Sequence, residues 1–382
     1  MNIIILADSL STELGGIEKC LFETCLHLYR RGHHITLIYE TPGDQLKYYE
    51  QFCQSIIHIK KFKLSPRLPG DLIKLLNVPA DRIYSHYYDN FFFGVLLAKL
   101  KRVPFYAHLH LPAPIEINKL KWLKQSFTLA NITHFFPVSK AVKEDWVKCL
   151  NVPENKFSIV YNGINLDRFI PSDCRTQLLK KWEIEDDVKV ICYVGRLESY
   201  KGVDHLLRAF ANLCQGNIKV KLLIAGKSII SGQLYEEKLR QLVIQLGIQD
   251  HVTFLGHVAQ PEEIYQISDV LVAPSLWLEA FGLVITEAMA CQIPVVASRV
   301  GGIPEILSGE FQEYLFDSGD EKQLSSILNK ILNWREDDPN LGQRCRKHVI
   351  ENFDIDQNID RIESLLSLGE SKSSLKLTAK LI

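Results

Sequence analysis

Short apolar runs rich in β-branched residues alternate with longer stretches of helical periodicity along most of the chain. This alternation is typical of parallel βαβ units, in which a helix follows each strand and returns the chain across the sheet. In the first half it predicts strands at Asn2–Leu6, His34–Tyr39, Ser55–Ile59, Arg82–Ser85, Pro104–Leu109, Thr133–Pro137 and Phe157–Val160. The helices predicted between them are Gly16–Arg31, Phe91–Lys101, Lys119–Ala130 and Lys140–Cys149.

The same rhythm restarts after a polar stretch, Asn165–Asp173. Strands are predicted at Val188–Val194, Val220–Ala225, Val252–Phe254, Val270–Ala273, Pro294–Ala297 and Tyr314–Phe316, and helices at Val203–Leu213, Tyr235–Leu246, Pro261–Ile267, Gly282–Cys291 and Glu321–Asn333. The pattern therefore predicts an α/β protein with two Rossmann-like, doubly wound domains, residues 1–168 and 169–350. We expect a C-terminal helix over 351–368, packed back on the first domain, and a flexible tail over 369–382.

Composition and charge exclude several classes of function. Of 382 residues, 47% are hydrophobic and 23% charged, as in soluble proteins with large cores. The net charge of −1 gives no overall attraction to nucleic acid, although residues 1–165 carry 20 Lys/Arg against 14 Asp/Glu (+6) and the remainder 24 against 31 (−7). The nine cysteines form no CxxC pair, and no apolar run is long enough to span a bilayer. We therefore expect a cytoplasmic protein.

Two cations follow a predicted strand of the second half. Gly195-Arg196 comes directly after the strand that ends at Val194, and Lys201-Gly202 opens the next helix. Ligands of open α/β sheets bind beyond the carboxyl ends of the strands, where helix N-termini attract anions. The pair is typical of a diphosphate site, but two solvated cations on a surface loop would give the same pattern.

Two carboxylates, Glu279 and Glu287, flank a glycine further along the chain. If a helix begins near Gly282, Glu279 lies on the preceding loop and Glu287 on the second turn. Backbone amides of Phe281, Gly282, Leu283 and Val284 would then face a ligand. Carboxylates suit sugar or ribose diols because each accepts two hydrogen bonds. An ordinary acidic helix N-terminus remains the alternative at this point.

The order of these motifs resembles glycosyltransferase family 4, whose members are retaining enzymes of the GT-B architecture. The motifs that carry the resemblance are Gly15-Gly16-Ile17-Glu18, Val138-Ser139, Tyr161-Asn162-Gly163-Ile164, Gly195-Arg196-Leu197, Lys201-Gly202, Glu279 with Glu287, Pro294–Ser298 and Gly301–Glu305. They extend over nearly the whole chain. The turn Ala225-Gly226-Lys227-Ser228 departs from the glycine-rich turn usual in the family.

The resemblance implies a role for each motif. Arg196 and Lys201 would hold the donor diphosphate, Glu279 the transferred sugar and Glu287 the ribose. Gly195 and the amides of residues 281–284 would complete the donor site. The two domains would face a central cleft, with Gly15 and Gly16 near phosphate or acceptor and His110 near the transferred sugar.

The resemblance also implies partners and reaction type. It implies a metal-independent hexosyltransferase with no cofactor, which uses a nucleotide-diphosphate sugar and a glycan or lipid-linked acceptor of polysaccharide biosynthesis. A sugar-nucleotide epimerase of similar build and a catalytically silent nucleotide- or glycan-binding protein remain alternatives. A dehydrogenase is disfavoured because no G-x-G-x-x-G follows the first strand.

One predicted helix has two interpretations. Lys119–Lys124 places lysines beside Trp122, which suits an anionic membrane surface such as the inner face of a membrane. The alternative, favoured by the apolar spacing, is an amphipathic helix that packs Leu120, Leu123 and Phe127 on its sheet.

Overall fold

The computed structural model describes residues 1–11, 15–63, 65–114, 119–150, 152–216, 218–229 and 232–367. The chain divides into two compact units, residues 1–163 with 355–382, and residues 164–354. The boundaries predicted after residues 168 and 350 lie close to these divisions but not at them. The predicted flexible tail, residues 369–382, lies outside the described residues.

The first unit contains a six-stranded parallel sheet of order β3-β2-β1-β4-β5-β6. Its strands are β1 (Asn2–Ser9), β2 (His34–Thr41), β3 (Ser55–His58), β4 (Arg82–Ser85), β5 (Phe105–Leu109) and β6 (His134–Pro137). The helices are α1 (Gly16–Arg30), α2 (Leu46–Tyr49), α3 (Leu68–Leu75), α4 (Tyr88–Lys101), α5 (Lys119–Ala130) and α6 (Lys140–Leu150).

The sequence of β1 explains its central position. Every side chain from Ile3 to Ala7 is fully buried, because helices cover both faces of a parallel sheet and leave no polar side. The chain continues to β2 on one side of β1 and later to β4 on the other. Loops leave in opposite directions where the strand order reverses, and this opens a crevice at the carboxyl ends of β1 and β4.

The last described helix belongs to the first unit. After the second unit the chain returns at Ile355, and Ile355, Ile359, Ile362, Leu365 and Leu366 join the core formed by β1 and α1.

The second unit repeats the topology, with sheet order β12-β11-β10-β7-β8-β9. Its strands are β7 (Lys189–Val194), β8 (Val220–Ala225), β9 (Val252–Gly256), β10 (Val270–Ala273), β11 (Val295–Ser298) and β12 (Leu315–Phe316). The helices of this unit are α7 (Arg175–Lys181), α8 (Val203–Cys214), α9 (Gln233–Gln245), α10 (Glu262–Ile267), α11 (Leu283–Ala290), α12 (Ile303–Ile306), α13 (Glu321–Ile331), α14 (Trp334–Asp337) and α15 (Leu341–Phe353). The helix that follows, α16 (Ile355–Ser367), is the one that returns to the first unit.

The predicted fold class is confirmed, with differences in the elements. The predicted strand Phe157–Val160 is wrong: this segment makes only an isolated bridge, between Phe135 and Phe157. Six helices that the structure describes were not predicted from the sequence: α2, α3, α7, α12, α14 and α15. None of the helices in the described ranges is long and apolar enough to cross a membrane.

Candidate active site

The loops that follow β7 and β8 lie against each other. A Cβ added to Gly226 would lie 1.8 Å from the carbonyl oxygen of Gly195, so only glycine fits there. The Leu197 amide donates to the Lys227 carbonyl at 3.0 Å, and the Gly226 amide to the Gly256 carbonyl at 2.7 Å. The turn that departs from the family pattern thus supports the predicted phosphate-binding loop.

Lys201 and Glu279 form an ion pair at the carboxyl edge of the second sheet. Lys201 ends a short 3₁₀ turn after β7, and Glu279 lies on the loop between β10 and α11. The two side chains are only 18% and 22% exposed, so their charges interact with little screening by solvent. The Ser275 hydroxyl donates a further hydrogen bond to Glu279 at 3.3 Å. Two predicted donor-site residues, 78 positions apart in sequence, therefore meet.

The glycine turn after β11 contacts the backbone of Glu279. The Gly302 amide donates to the Glu279 carbonyl at 2.8 Å. Gly301 has φ +54° and a Cβ there would lie 2.1 Å from the same carbonyl oxygen. The Gly301-Gly302 motif thus acts by permitting a close backbone approach that fixes the Glu279 loop.

Arg196 lies beside the same loop. Its guanidinium carbon is 6.0 Å from the centre of the Tyr200 ring, and its carbonyl accepts a hydrogen bond from the Tyr193 hydroxyl at 2.7 Å. Burial raises the pKa of Tyr193 well above its ordinary value, and the Glu279 carboxylate raises it further while Arg196 opposes the rise. Tyr193 is thus within electrostatic reach of both charges.

Helix α11 begins as the motif predicted, one residue after Gly282. Gly282 has φ +107° and precedes the helix, so the first-turn amides, those of Leu283 and Val284 among them, have no acceptor within α11. A Cβ on Gly282 would lie 3.7 Å from Glu279 Cγ, which places the carboxylate-bearing loop beside this helix N-terminus. Phe281 is turned inward, where its ring packs on Phe353 at 5.6 Å.

Glu287 is buried on the second turn of α11. Its Oε2 accepts a hydrogen bond from the Tyr265 hydroxyl at 2.6 Å. Burial and then the adjacent carboxylate raise the pKa of Tyr265 well above its ordinary value, so the tyrosine remains a donor. Tyr265, on α10, was not identified from the sequence. It is 22 positions from Glu287, and no sequence pattern pairs a tyrosine with a carboxylate at that distance.

Glu198 is a second residue that sequence reasoning missed. It is 1% exposed, and its Oε1 accepts hydrogen bonds from the Ile229 amide at 2.8 Å and the Ser228 hydroxyl at 3.2 Å. A carboxylate immediately after the Gly-Arg-Leu motif was the available signal. It holds the loop after β8 to the loop after β7.

Three histidines gather at the carboxyl edge of the first sheet. His86 follows β4, His108 lies within β5 and His110 follows β5, and all three are buried. The ring centres are 4.3–4.9 Å apart. Burial lowers the pKa of His86 and His110 well below the ordinary value and that of His108 to about 3, so all three rings are neutral near pH 7.

The predicted glycines of the first unit lie at the start of α1. Gly15 precedes the helix with φ +143°, in open space, and Gly16 is its first residue. Glu18, in the first turn, accepts a hydrogen bond from the Tyr87 hydroxyl at 2.9 Å. This ties the start of α1 to the loop after β4, which begins with His86.

Helix α5 corrects the favoured prediction for its apolar residues. Leu123 and Phe127 are 52% and 41% exposed rather than packed on the sheet. The buried face is instead Gln125, Thr128 and Leu129. Gln125 is satisfied by donating to the Tyr88 hydroxyl and the Pro114 carbonyl, both at 2.9 Å, so a polar residue fits the inner face. The side chain of Leu120 is outside the described part.

Comparison with known proteins identifies the family of this chain. Family models match both units: "Glycosyltransferase Family 4" over residues 14–168 and "Glycosyl transferases group 1" over residues 175–348. An uncharacterized glycosyltransferase of Methanocaldococcus jannaschii is 31% identical over 309 residues, which are 74% of this chain and 76% of that protein. The chain belongs to the group 1 glycosyltransferases, family 4.

Solved structures give the same fold. HepE of Anabaena in complex with UDP superposes with a TM-score of 0.84 at 22% identity, covering 96% of this chain and 100% of that one. Its complex with UDP-glucose gives 0.82 at 22% identity, covering 96% and 99%. At this identity the likeness establishes the GT-B type of fold, formed by two Rossmann-like sheets.

Proposed function

We propose that this glycosyltransferase transfers a hexose from a nucleotide-diphosphate sugar to a hydroxyl of a glycan or lipid-linked acceptor, with retention of anomeric configuration. The observation that carries the proposal is the Lys201–Glu279 pair, set at the carboxyl ends of β7 and β10 beside the N-terminus of α11. The lysine matches the negative diphosphate and the carboxylate matches sugar hydroxyls.

The positive charges replace a metal at the diphosphate. In the proposal Arg196 and Lys201 neutralise the charge that grows on the leaving nucleotide, so the transfer requires no cofactor. The bond between the anomeric carbon and the phosphate oxygen breaks, and a bond to the acceptor oxygen forms on the same face. The acceptor proton passes to the departing phosphate. Glu279 binds hydroxyls of the transferred sugar.

In the proposal, Glu287 makes the enzyme specific for a ribonucleotide. Its carboxylate, oriented by Tyr265, would accept hydrogen bonds from a ribose diol, so a ribonucleotide would bind in preference to a deoxyribonucleotide. The Anabaena HepE structures hold UDP and UDP-glucose. A uridine donor is therefore the first to test.

A panel of donors tests the function. The purified chain is heated with UDP, GDP and ADP and with their glucose conjugates, and the matching ligand should raise Tm because it binds only the folded state. The stabilising donor is then assayed for nucleotide release with and without acceptor glycans. Acceptor-dependent release with an α-linked product from an α-linked donor supports the proposal. Interconversion of the donor alone would indicate an epimerase, and binding without turnover a silent binding protein.

The exposed face of α5 supports a membrane contact in the same proposal. Trp122 is 53% exposed, next to Leu123, and Lys124 lies 4.7 Å from the centre of the Phe92 ring. Lys99 lies 5.7 Å from the centre of the Phe127 ring. Aromatic and apolar side chains mixed with lysines suit the headgroup region of an anionic bilayer. We propose that this face holds the cytoplasmic enzyme at a membrane that carries its acceptor.

A further inference from the structure

The three clustered histidines of the first unit bring three ring nitrogens close together. One ligand nitrogen from each of His86, His108 and His110 lies within 4.8 Å of the other two. The strands explain this geometry: Tyr84 pairs with Tyr106 in register, so His86 lies opposite His108. His108 and His110 are two residues apart and share a face.

Two nitrogen atoms of the cluster lack hydrogen bonds. His86 Nε2 and His108 Nε2 are buried and have no hydrogen-bond partner in the described part of the chain. The Val160 backbone lies within weak hydrogen-bonding reach of the His108 ring and opposes the fall in its pKa, so the lack of a partner is clearest for His86 Nε2. A buried nitrogen without a partner loses its hydrogen bonds to water and gains none in return, so it calls for an explanation.

Three other nitrogens of the cluster have hydrogen-bond partners, and the partner of His108 is of the kind that orients metal-binding imidazoles. Tyr84 Oη lies 2.6 Å from His108 Nδ1. If His108 Nε2 holds a metal, Nδ1 carries the proton and donates it to the tyrosine oxygen, which fixes the ring. His86 Nδ1 and His110 Nε2 are 2.9 Å apart, so this pair shares one proton in the metal-free protein.

We propose that His86, His108 and His110 form a binding site for a divalent transition-metal ion of the zinc type. Three imidazoles and one open position are a common ligand set for such ions, whereas Mg²⁺ and Ca²⁺ prefer oxygen ligands. Tetrahedral Zn–N bonds of about 2.0–2.1 Å require nitrogens ~3.3 Å apart, so the rings close by ~1.5 Å at most when the ion binds.

The site lies within the first unit and includes His110, for which the family resemblance implies a contact with the transferred sugar. Metal binding is measured without donor or acceptor, so its test does not depend on the proposed transfer. It departs from the expectation, drawn from the sequence, that the chain holds no metal. A metal on one nitrogen of His110 leaves the other protonated, so this ring can still donate to a sugar hydroxyl.

Metal binding to the tag-free full chain tests the site. The protein is stripped with a chelator, titrated with Co²⁺ and Zn²⁺, and analysed for metal content after gel filtration. We expect one ion per chain, visible d–d absorption of four-coordinate Co²⁺, and displacement of Co²⁺ by Zn²⁺. Stripped wild-type protein that gives neither stoichiometric binding nor this absorption overturns the proposal, whatever the variants do.

Variants separate this site from the chain's other histidines. His108→Gln should weaken binding by more than about 100-fold, and Tyr84→Phe by about 10-fold, because losing the outer partner costs less than losing a ligand. His134→Gln is the matched control: that half-buried ring hydrogen-bonds Ser158 outside the cluster and should leave affinity unchanged. If His108→Gln fails to fold, His110→Gln replaces it. Equal affinity in a folded cluster variant and in wild type would show that the ion binds elsewhere.

Discussion

Tyr265 donates a hydrogen bond to Glu287 across 2.6 Å, inside a core where neither side chain is more than 3% exposed. The bond fixes the carboxylate that we assign to the ribose. Tyr265→Phe removes the donor and nothing else, and a hydrogen bond to a charged group is worth about 1.5–3 kcal/mol. We expect UDP affinity to fall by about tenfold or more, measured by calorimetry.

The control for this variant is Tyr314→Phe. Tyr314 also hydrogen-bonds a carboxylate, that of Glu313, and it lies directly before β12, at the end of that strand opposite its carboxyl edge. Its loss should leave UDP affinity unchanged. Equal effects of the two variants would mean that Tyr265 contributes only general stability.

The Lys201–Glu279 pair gives the most direct prediction for transfer. Lys201→Met and Glu279→Gln should each lower kcat by at least about 100-fold, as loss of one transition-state contact does elsewhere. Tm should change by only a few degrees, because the pair lies at a loop edge. Lys181→Met breaks the exposed pair with Glu263 and serves as control. Wild-type turnover in either site variant would refute the donor site.

Substitution of Gly226 and of Gly247 distinguishes a steric clash of the added Cβ from backbone strain at a positive φ. Gly226→Ala would place Cβ 1.8 Å from the Gly195 carbonyl oxygen and should displace the diphosphate loop, abolishing UDP binding. Gly247→Ala also has positive φ, +67°, but faces open space. It should cost only about 1–2 kcal/mol of unfolding free energy and leave UDP binding intact. Retained binding by Gly226→Ala would contradict the proposed loop.

Glu363 gives the returning helix α16 a pH-dependent attachment. Partial burial raises the pKa of Glu363, but hydrogen bonds from His33 at 2.7 Å and Arg31 at 3.2 Å outweigh this and lower it overall. A lowered folded-state pKa adds stability above the unfolded value, about 4.3, and the contribution is lost as pH falls through the folded value. The Tm difference between wild type and Glu363→Gln should therefore be present above about pH 4.3 and shrink as pH falls further below that value.

Glu351→Gln tests the specificity of that effect. Glu351 is 58% exposed and pairs with Lys347 at 3.7 Å on α15. Solvent screens this pair, so its removal should leave Tm nearly unchanged at every pH. A Tm difference for Glu363→Gln that stays constant as pH falls below about 4.3 would argue against the ion-pair origin.

The exposed face of α5 predicts lipid-dependent sedimentation. Wild-type protein should sediment with vesicles containing anionic lipid and remain in the supernatant with zwitterionic ones. The double change Trp122→Ser and Leu123→Ser should abolish sedimentation. Trp277→Ser is the control, because Trp277 is 70% exposed in the acidic second unit. Equal sedimentation with both lipid types would exclude the proposed contact.

Local chemistry is sufficient to predict most of the fold. β-branched runs and helical periods are properties of neighbouring residues, so β4, β8 and β10 lie where the pattern predicts them. The carboxyl ends of parallel strands share one edge, and for that reason the Gly195, Glu279 and Gly301 motifs could be assigned to one site before their contacts were known.

Only the tertiary structure could decide contacts between residues far apart in sequence. Apolar spacing on α5 suggested that Leu123 faces inward, yet a hydrogen-bonded Gln125 lies there, because its partners come from α4 and from Pro114, before α5. The meeting of His86 with His108 and of Tyr265 with Glu287 likewise depends on strand register and helix packing. The sequence by itself indicated most of the candidate site residues, since residue type and position in an element are local. Folding decided which of them touch, because that depends on how separate elements pack.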